Sequence, residues 1–404
     1  ASVEELDASF TAGADELERL TMSDNGKYRS EGNCIIRRSD EVLVSGCPGS
    51  EIPEGVKEIG SEAFWKVAIE EVSISDTVEK IGAYAFSYSG LRSLKLPKNV
   101  REVEHPIVSG CANLETLEAE EGNAVYRSEK NCLIRKADGV LAEGCMVSEI
   151  PDSVSEIGEL AFLDCPREEI ELPEGIKIGE GAFSGSGLKE VTIPGTAEIG
   201  RGAFSESELE KVYIGEGITE IPERMFSKCE SLEDVTLPEG LEEIGVRAFQ
   251  GCTSLKELLL PYGLKKIDDY AFFNCLSLEK LWIPEGVEEI LTGALINCPQ
   301  LSFTLPSTAT SYGDADIWNM ILPAPYTSNG YIYEFVVSMS CTMAYDGHYP
   351  YVVSIRLGDI KNRNYKVLIP TRRGYTFAGW AEEEGGAPVY VPYRAQRDEW
   401  ALTE

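Results

Sequence analysis

The chain has 404 residues, with 69 acidic side chains against 36 basic ones and a net charge of −33. Such an excess repels the phosphates of nucleic acids and anionic lipid headgroups, both of which are bound through Lys and Arg, and it favours solubility and self-repulsion. A hydrophobic content of 43% marks a globular chain, yet no run of eighteen apolar residues is present to span a bilayer.

Phe10, Leu17 and Leu20 have the spacing of the tail of a repeat whose beginning precedes the chain. No charged and then apolar leader comes before them. The expectation is a mature or engineered piece of an exported protein, with targeting and anchoring segments outside it. Residues 25–47 (NGKYRSEGNCIIRRSDEVLVSGC) then match residues 123–145 (NAVYRSEKNCLIRKADGVLAEGC) at a constant offset of 98. In both copies short apolar runs flank a polar turn, Arg38-Ser39-Asp40 in one and Lys136-Ala137-Asp138-Gly139 in the other. This is the pattern of a β-hairpin inserted into one coil of a larger array. Two readings stand for the insertions: a structural flap that widens a sheet edge, and a flap that touches a ligand.

The larger array is visible as a unit of about 23 residues. Four tandem copies start at Leu209, Leu232, Leu255 and Leu278, each 23 residues after the last, and Leu301 opens a fifth that soon decays. Units of this length are single supersecondary elements that cover their apolar faces by stacking, so the chain is read as a solenoid. In the copy at Leu232, Val235 and Leu237 alternate as in a strand and point inward while Thr236 points out. Pro238 ends the strand because it lacks an N–H, Glu239-Gly240 turns the chain, and Leu241 and Ile244 re-enter the core. The stretch Val246-Arg247-Ala248-Phe249 is expected to form a short helical turn plugging the back of the coil, and Cys252 closes the unit. The same columns recur upstream as Pro53/Ile59/Phe64, Val78/Ile81/Phe86, Pro173/Ile178/Phe183 and Pro194/Ile199/Phe204.

The pattern LxxLxLPxGVxxIGxxAFxxC resembles the BspA-type leucine-rich repeat of surface proteins of gut and oral bacteria, over roughly Leu17 to Leu305. That resemblance implies a curved array with parallel strands, exported and often binding host or bacterial surfaces, and it implies no chemistry. The expected fold class is therefore mainly β with short helical turns: a leucine-rich-repeat solenoid over residues 1–305, followed by a small C-terminal β-rich module.

Residues 306–325 are irregular and read as a cap and linker, with Asp316-Ile317-Trp318-Asn319-Met320 as the lid over the last coil. From Tyr326, alternation in Tyr331–Val337 and in Tyr351–Leu357 predicts strands of a separate small domain, 326–404. The string Pro370-Thr371-Arg372-Arg373-Gly374-Tyr375-Thr376-Phe377-Ala378-Gly379-Trp380 resembles the Listeria–Bacteroides repeat, the B-repeat of internalin-type surface proteins. A β-grasp-like module is implied, with Tyr375, Phe377 and Trp380 in its core. The family closes with a further strand, whereas this chain stops at Glu404, so a truncated module is expected.

Chemical motifs are scarce. Cys229, Cys252, Cys275 and Cys298 form one column at the repeat spacing, the pattern of buried free thiols, while Cys34/Cys47 and Cys132/Cys145 are the pairs that disulfides would join. Eleven cysteines leave at least one thiol over. No CxxC or Cys/His spacing points to zinc, and no phosphate loop or EF-hand loop is present. His105 and His348 are the only histidines and have no evident partner, so no catalytic triad is read. A glycosidase with paired carboxylates is the most plausible enzyme reading, and 69 carboxylates supply such pairs by chance. No catalytic residue, cofactor or metal is expected.

A partner surface is expected instead on the outward column of the repeat strands: Ser73, Lys95, Glu171, Thr192, Tyr213, Thr236, Leu259 and Trp282. Tyr213, Thr236, Leu259 and Trp282 are the candidate partner-binding residues, because clustered exposed apolar groups mark contact surfaces and Trp and Tyr are favoured anchors. Packing of Leu259 and Trp282 against the cap or the C-terminal domain is the competing reading. The expected function is a non-enzymatic exported or cell-surface, adhesin-like protein binding a host or microbial protein or glycan. A passive spacer displaying other domains on the cell wall is the alternative. Neither nucleic acid nor membrane insertion is expected.

Overall fold

The structure, a computed structural model, describes residues 6–23, 26–304 and 311–312. The predicted cap and linker, the predicted module 326–404, Cys341 and His348 lie outside the described residues, apart from Ser311–Tyr312. Inside them the chain is a parallel solenoid, and among the described residues the only helix is one 3-10 turn at Ala8–Thr11.

Each coil presents three faces. The front face carries strands such as Glu190–Ile193, Lys211–Ile214 and Asp234–Thr236, paired in parallel, and then Glu257–Leu259, Lys280–Trp282 and Ser302–Thr304. A second, narrow face carries two-residue strands at the Glu-Ile or Lys-Ile step. It runs from Glu220–Ile221 through Glu243–Ile244, Lys266–Ile267 and Glu289–Ile290 to Ser311–Tyr312. The repeat ladder therefore reaches past the expected limit at residue 305. Register follows the sequence period, so that Ile244 pairs with Ile267 and Leu259 with Trp282. Inward Ile residues stack in the core. The outward neighbours are charged, and where a lysine meets a glutamate the two bridge: Lys266 to Glu243 at 2.8 Å, and Lys177 to Glu156 at 3.0 Å.

The third face corrects an expectation. Val246–Gly251 is a ribbon of tight turns and not a helical turn. Alternate N–H groups bond within the coil (Ala248 to Gly245 O, Gln250 to Arg247 O) and to the next coil (Arg247 to Asp269 O, Phe249 to Ala271 O). The alternation is made possible by left-handed residues, Arg247 at φ 57° here and Tyr270 at φ 58° one coil on. A left-handed L-residue cannot continue a right-handed helix, which is why none forms. Behind the ribbon the Phe rings of Phe162, Phe183, Phe204, Phe226, Phe249 and Phe272 stack at 5.1 to 6.0 Å between neighbours.

The two duplicated segments are three-stranded antiparallel meanders. In the first, Tyr28–Glu31, Cys34–Arg37 and Val42–Ser45 pair in sequence, and Val42–Ser45 then pairs in parallel with Glu58–Ile59. In the second, Tyr126–Glu129, Cys132–Arg135 and Leu141–Glu143 do the same, ending on Glu156–Ile157. Neither is a flap. Alternation sends Cys132, Ile134 and Leu141 into the large C-terminal core while Leu133 and Ala142 join the core of the preceding coils. Likewise Cys34, Ile36 and Leu43 face the middle core, and Ile35 and Val44 pack with Leu17, Leu20 and Met22. Each meander is a wall between two stretches of core, buried on both sides.

Candidate functional site

Burial sorts the front strands as the alternation demands. Val212 and Ile214 are buried while Lys211 and Tyr213 are exposed, and Leu258 and Leu281 are buried while Leu259 and Trp282 are exposed. Ser73, Lys95, Glu171, Thr192 and Thr236 are exposed as well, so the whole predicted column faces outward.

The column is not one patch. Leu259 and Trp282 are direct register partners on adjacent coils, whereas Tyr213 pairs with Thr236 and stands two coils away from Leu259. A residue absent from the predicted set completes the cluster. Tyr262 is 73% exposed, and its ring meets Trp282 edge to face with centroids 5.1 Å apart. Leu259 is 80% exposed, against 44% for Trp282 and 49% for Tyr213. The sequence carried a signal for Tyr262, because it stands in the turn column otherwise occupied by Glu216, Glu239 and Glu285. Leu259, Tyr262 and Trp282 form an apolar and aromatic corner set among carboxylates, a surface suited to contact and not to bond making.

The remaining chemistry-bearing groups are absorbed by the fold. Cys34, Cys47, Cys132 and Cys145, whose pairing the sequence left open, are free, as are the other described cysteines. Cys229, Cys252, Cys275 and Cys298 each donate the thiol to the carbonyl of a Phe in the preceding coil, at 3.1 to 3.2 Å. Burial pushes the Cys229 thiol up to about 12, which holds it neutral. No group of three or more His, Cys, Asp or Glu among the described residues is placed to hold a metal ion.

His105 has a partner that sequence reasoning did not find. Its Nδ1 lies 2.7 Å from Oε2 of buried Glu143, whose carboxylate also accepts the N–H groups of Ile107 and Val108 at 3.1 Å. Glu143 is 38 residues away in the second meander, so no local motif could announce the pair. With no serine or cysteine in that set, the pair reads as a structural joint.

A family model described as the BspA type leucine rich repeat region matches six copies, over residues 47–133, 145–252 and 197–320. The structure of a leucine-rich repeat protein from Eubacterium ventriosum is similar at 23% identity and a TM-score of 0.53, over 64% of this chain and 77% of that one. One from Bacteroides ovatus is 24% identical over 66% of this chain and 75% of that one, with a TM-score of 0.45. A leucine rich cell surface protein from Faecalibacterium prausnitzii is 25% identical over 67% and 61%, with a TM-score of 0.36. No curated protein matches. The likeness to the Eubacterium structure is one of fold: the stacked parallel coils.

Proposed function

The chain belongs to the BspA-type leucine-rich repeat family, and from that premise we propose that it is a non-enzymatic, exported or cell-surface interaction protein. Its partner is a protein or glycan displayed on a host or microbial surface, and the contact is made through the front face of the solenoid. The observation that carries this reading is the exposure of Leu259 and Trp282 side by side on adjacent strands, with Tyr262 against them. Exposed large apolar side chains in register gain from burial against a second molecule, up to about 1.5–3 kcal/mol for a side chain taken wholly out of water. Repeat arrays commonly bind on such extended faces, with the outward residues setting specificity. The Ser87, Ser109 and Ser186 hydroxyls, buried and without a hydrogen-bond partner, sit inside coils and offer no nucleophile to solvent.

The test is a binding panel of mucin, matrix proteins, serum proteins and bacterial wall glycans against the chain and its Leu259→Ser/Trp282→Ser variant. Binding that disappears in the folded variant supports the proposal. Binding that survives moves the contact away from this face, and silence across the panel favours the spacer reading.

A further inference from the structure

Among the described residues, three aromatic pairs outside the histidine joint meet edge to face. Trp65 and Tyr88 have centroids 6.4 Å apart at 87°, and the Lys66 ammonium lies 4.4 Å from the Trp65 ring and 5.6 Å from that of Tyr88. Tyr270 and Phe273 are 5.8 Å apart at 88°, and the Arg247 guanidinium lies 5.4 Å from the Tyr270 ring. The third pair, Tyr262 and Trp282, is 5.1 Å apart at 71°, and no lysine or arginine among the described residues lies over either ring. Aromatic faces attract cations through the ring quadrupole, most strongly at Trp. Twice, then, this molecule places one of its own cations on such a corner, and the third corner carries none from the described residues.

Charge around the corner points the same way. Residues 1–304 hold 58 acidic and 28 basic side chains. Glu239 and Glu285 occupy the turn position of Tyr262 in the coils before and after it. Glu257, two residues before Leu259 on the same strand, is bridged by Lys280 of the next coil at 3.4 Å, so the turn column supplies the carboxylate left for a partner. A sugar ring and a basic side chain can each use one open ring face, but only the basic side chain also gains from an acidic surround. A basic side chain needs one ring face and nearby carboxylates, and both are present.

We propose that the Tyr262–Trp282 corner takes a lysine or arginine side chain of a protein partner, with Glu239 and the acidic surface of the array meeting the rest of a basic segment. The proposal rests on the front face being the binding surface and names the chemistry of what binds there.

The test measures fluorescence anisotropy of labelled (Gly-Arg)4, (Gly-Lys)4 and (Gly-Glu)4 peptides, and of labelled chitohexaose, with the full chain at physiological salt. Tyr262→Ala/Trp282→Ala and Tyr262→Leu/Trp282→Leu are compared with the parent, and unchanged unfolding midpoints confirm that both variants fold. The basic peptides are expected to bind and the acidic one not to bind. Both variants should weaken binding by about tenfold, because neither retains a ring face and neither changes the net charge. Equal binding to parent and variants would mean bulk electrostatics and would overturn the proposal, as would full binding by the leucine variant or no binding of either basic peptide. Chitohexaose binding that depends on the two rings would overturn the cation assignment while leaving this face as the binding surface.

Discussion

Glu143, from the second meander, reaches back across the chain to His105, and their side chains meet at 2.7 Å where two stretches of core join. The carboxylate serves three neighbouring groups at once. It accepts the Ile107 and Val108 N–H groups, so it acts as an acceptor, and His105 Nδ1–H donates to it. His105 Nε2 in turn lies 3.4 Å from the Tyr126 hydroxyl. The first meander has Ser45 at the matching position, 98 residues earlier, and it bonds the Thr11 hydroxyl at 2.8 Å instead. One architectural joint is thus closed by a neutral pair in one copy and by a carboxylate in the other.

Removing the Glu143 carboxylate leaves two buried backbone donors without acceptors, each costing about 1–3 kcal/mol. Glu143→Ala should therefore destabilise the fold by about 3 kcal/mol. Glu143→Gln, which keeps one acceptor oxygen, should cost less, and His105→Ala, at the more exposed side of the pair, about 1 kcal/mol. Urea unfolding of the three variants checks the order. A His105→Ala loss as large as that of Glu143→Ala would show that the carboxylate is held for the imidazole and not for the backbone.

The stacked Phe column makes a different kind of prediction, about neighbours. Phe249 touches Phe226 at 5.4 Å and Phe272 at 5.3 Å, all three fully buried. Phe249→Ala should cost about 3–5 kcal/mol through the lost transfer energy and the cavity. Phe249→Leu should cost about 1.5 kcal/mol, given that Leu295 already ends the column in a leucine. Combining Phe249→Leu with Phe226→Leu should depart from additivity by at least about 0.5 kcal/mol, whereas combining it with the distant Phe64→Leu should add. Additivity in both pairs would mean that the column is a row of independent sites.

The inward columns were legible in the sequence because they repeat: Val212, Ile221 and Phe226 recur at fixed spacing, and all are buried. The outward column followed from the same alternation. What the sequence hid lies off that period. A two-residue strand such as Glu243–Ile244 is too short to display an alternation of its own. The turn ribbon hid behind Arg247 and Tyr270, although Gly181, Gly202 and Gly293 in the same column marked a left-handed position. Tyr262 lies in the turn after Pro261, outside the strand alternation, and the Glu143–His105 contact spans 38 residues that no pattern links.

Buried thiols give the fold an alkaline limit. Burial pushes Cys34, Cys132, Cys165 and Cys229 up to about 12 and Cys111 up to about 11, from an ordinary value of 9.0. Between pH 9 and these values the unfolded chain has lost thiol protons that the folded chain retains, so stability falls as pH rises. It is fully present below pH 9. Each thiol contributes up to about 1.4 kcal/mol per pH unit to the slope. Urea midpoints should hold level to about pH 9 and then decline, with a shallower decline in Cys229→Ala. At pH 8 iodoacetamide should leave the ten described thiols unmodified in the folded chain and modify them in urea, as mass spectrometry would read. Alkylation of Cys229 or Cys252 without denaturant would contradict their burial.

Gly46 and Gly144 test the duplication itself. They are 98 residues apart, each follows a meander, and each donates its N–H at 2.9 Å to the Ala before a core phenylalanine, Ala63 and Ala161. A Cβ placed on Gly46 would stand 2.0 Å from the Phe64 ring, and one on Gly144 would stand 2.1 Å from that of Phe162. Neither ring has room to move: Phe64 is stacked on Phe86 at 5.3 Å and Phe162 on Phe183 at 5.1 Å. Overpacking of this kind costs about 1–3 kcal/mol, so Gly46→Ala and Gly144→Ala should each lower stability by an amount near the top of that range. Gly240→Ala, in a front turn with open space around it, should be close to neutral. If the ring contact is the cause, Phe64→Leu should recover part of the Gly46→Ala loss, because leucine lacks the ring edge that the new methyl meets. Equal losses for the single and the double variant would place the strain in the Gly46 backbone instead.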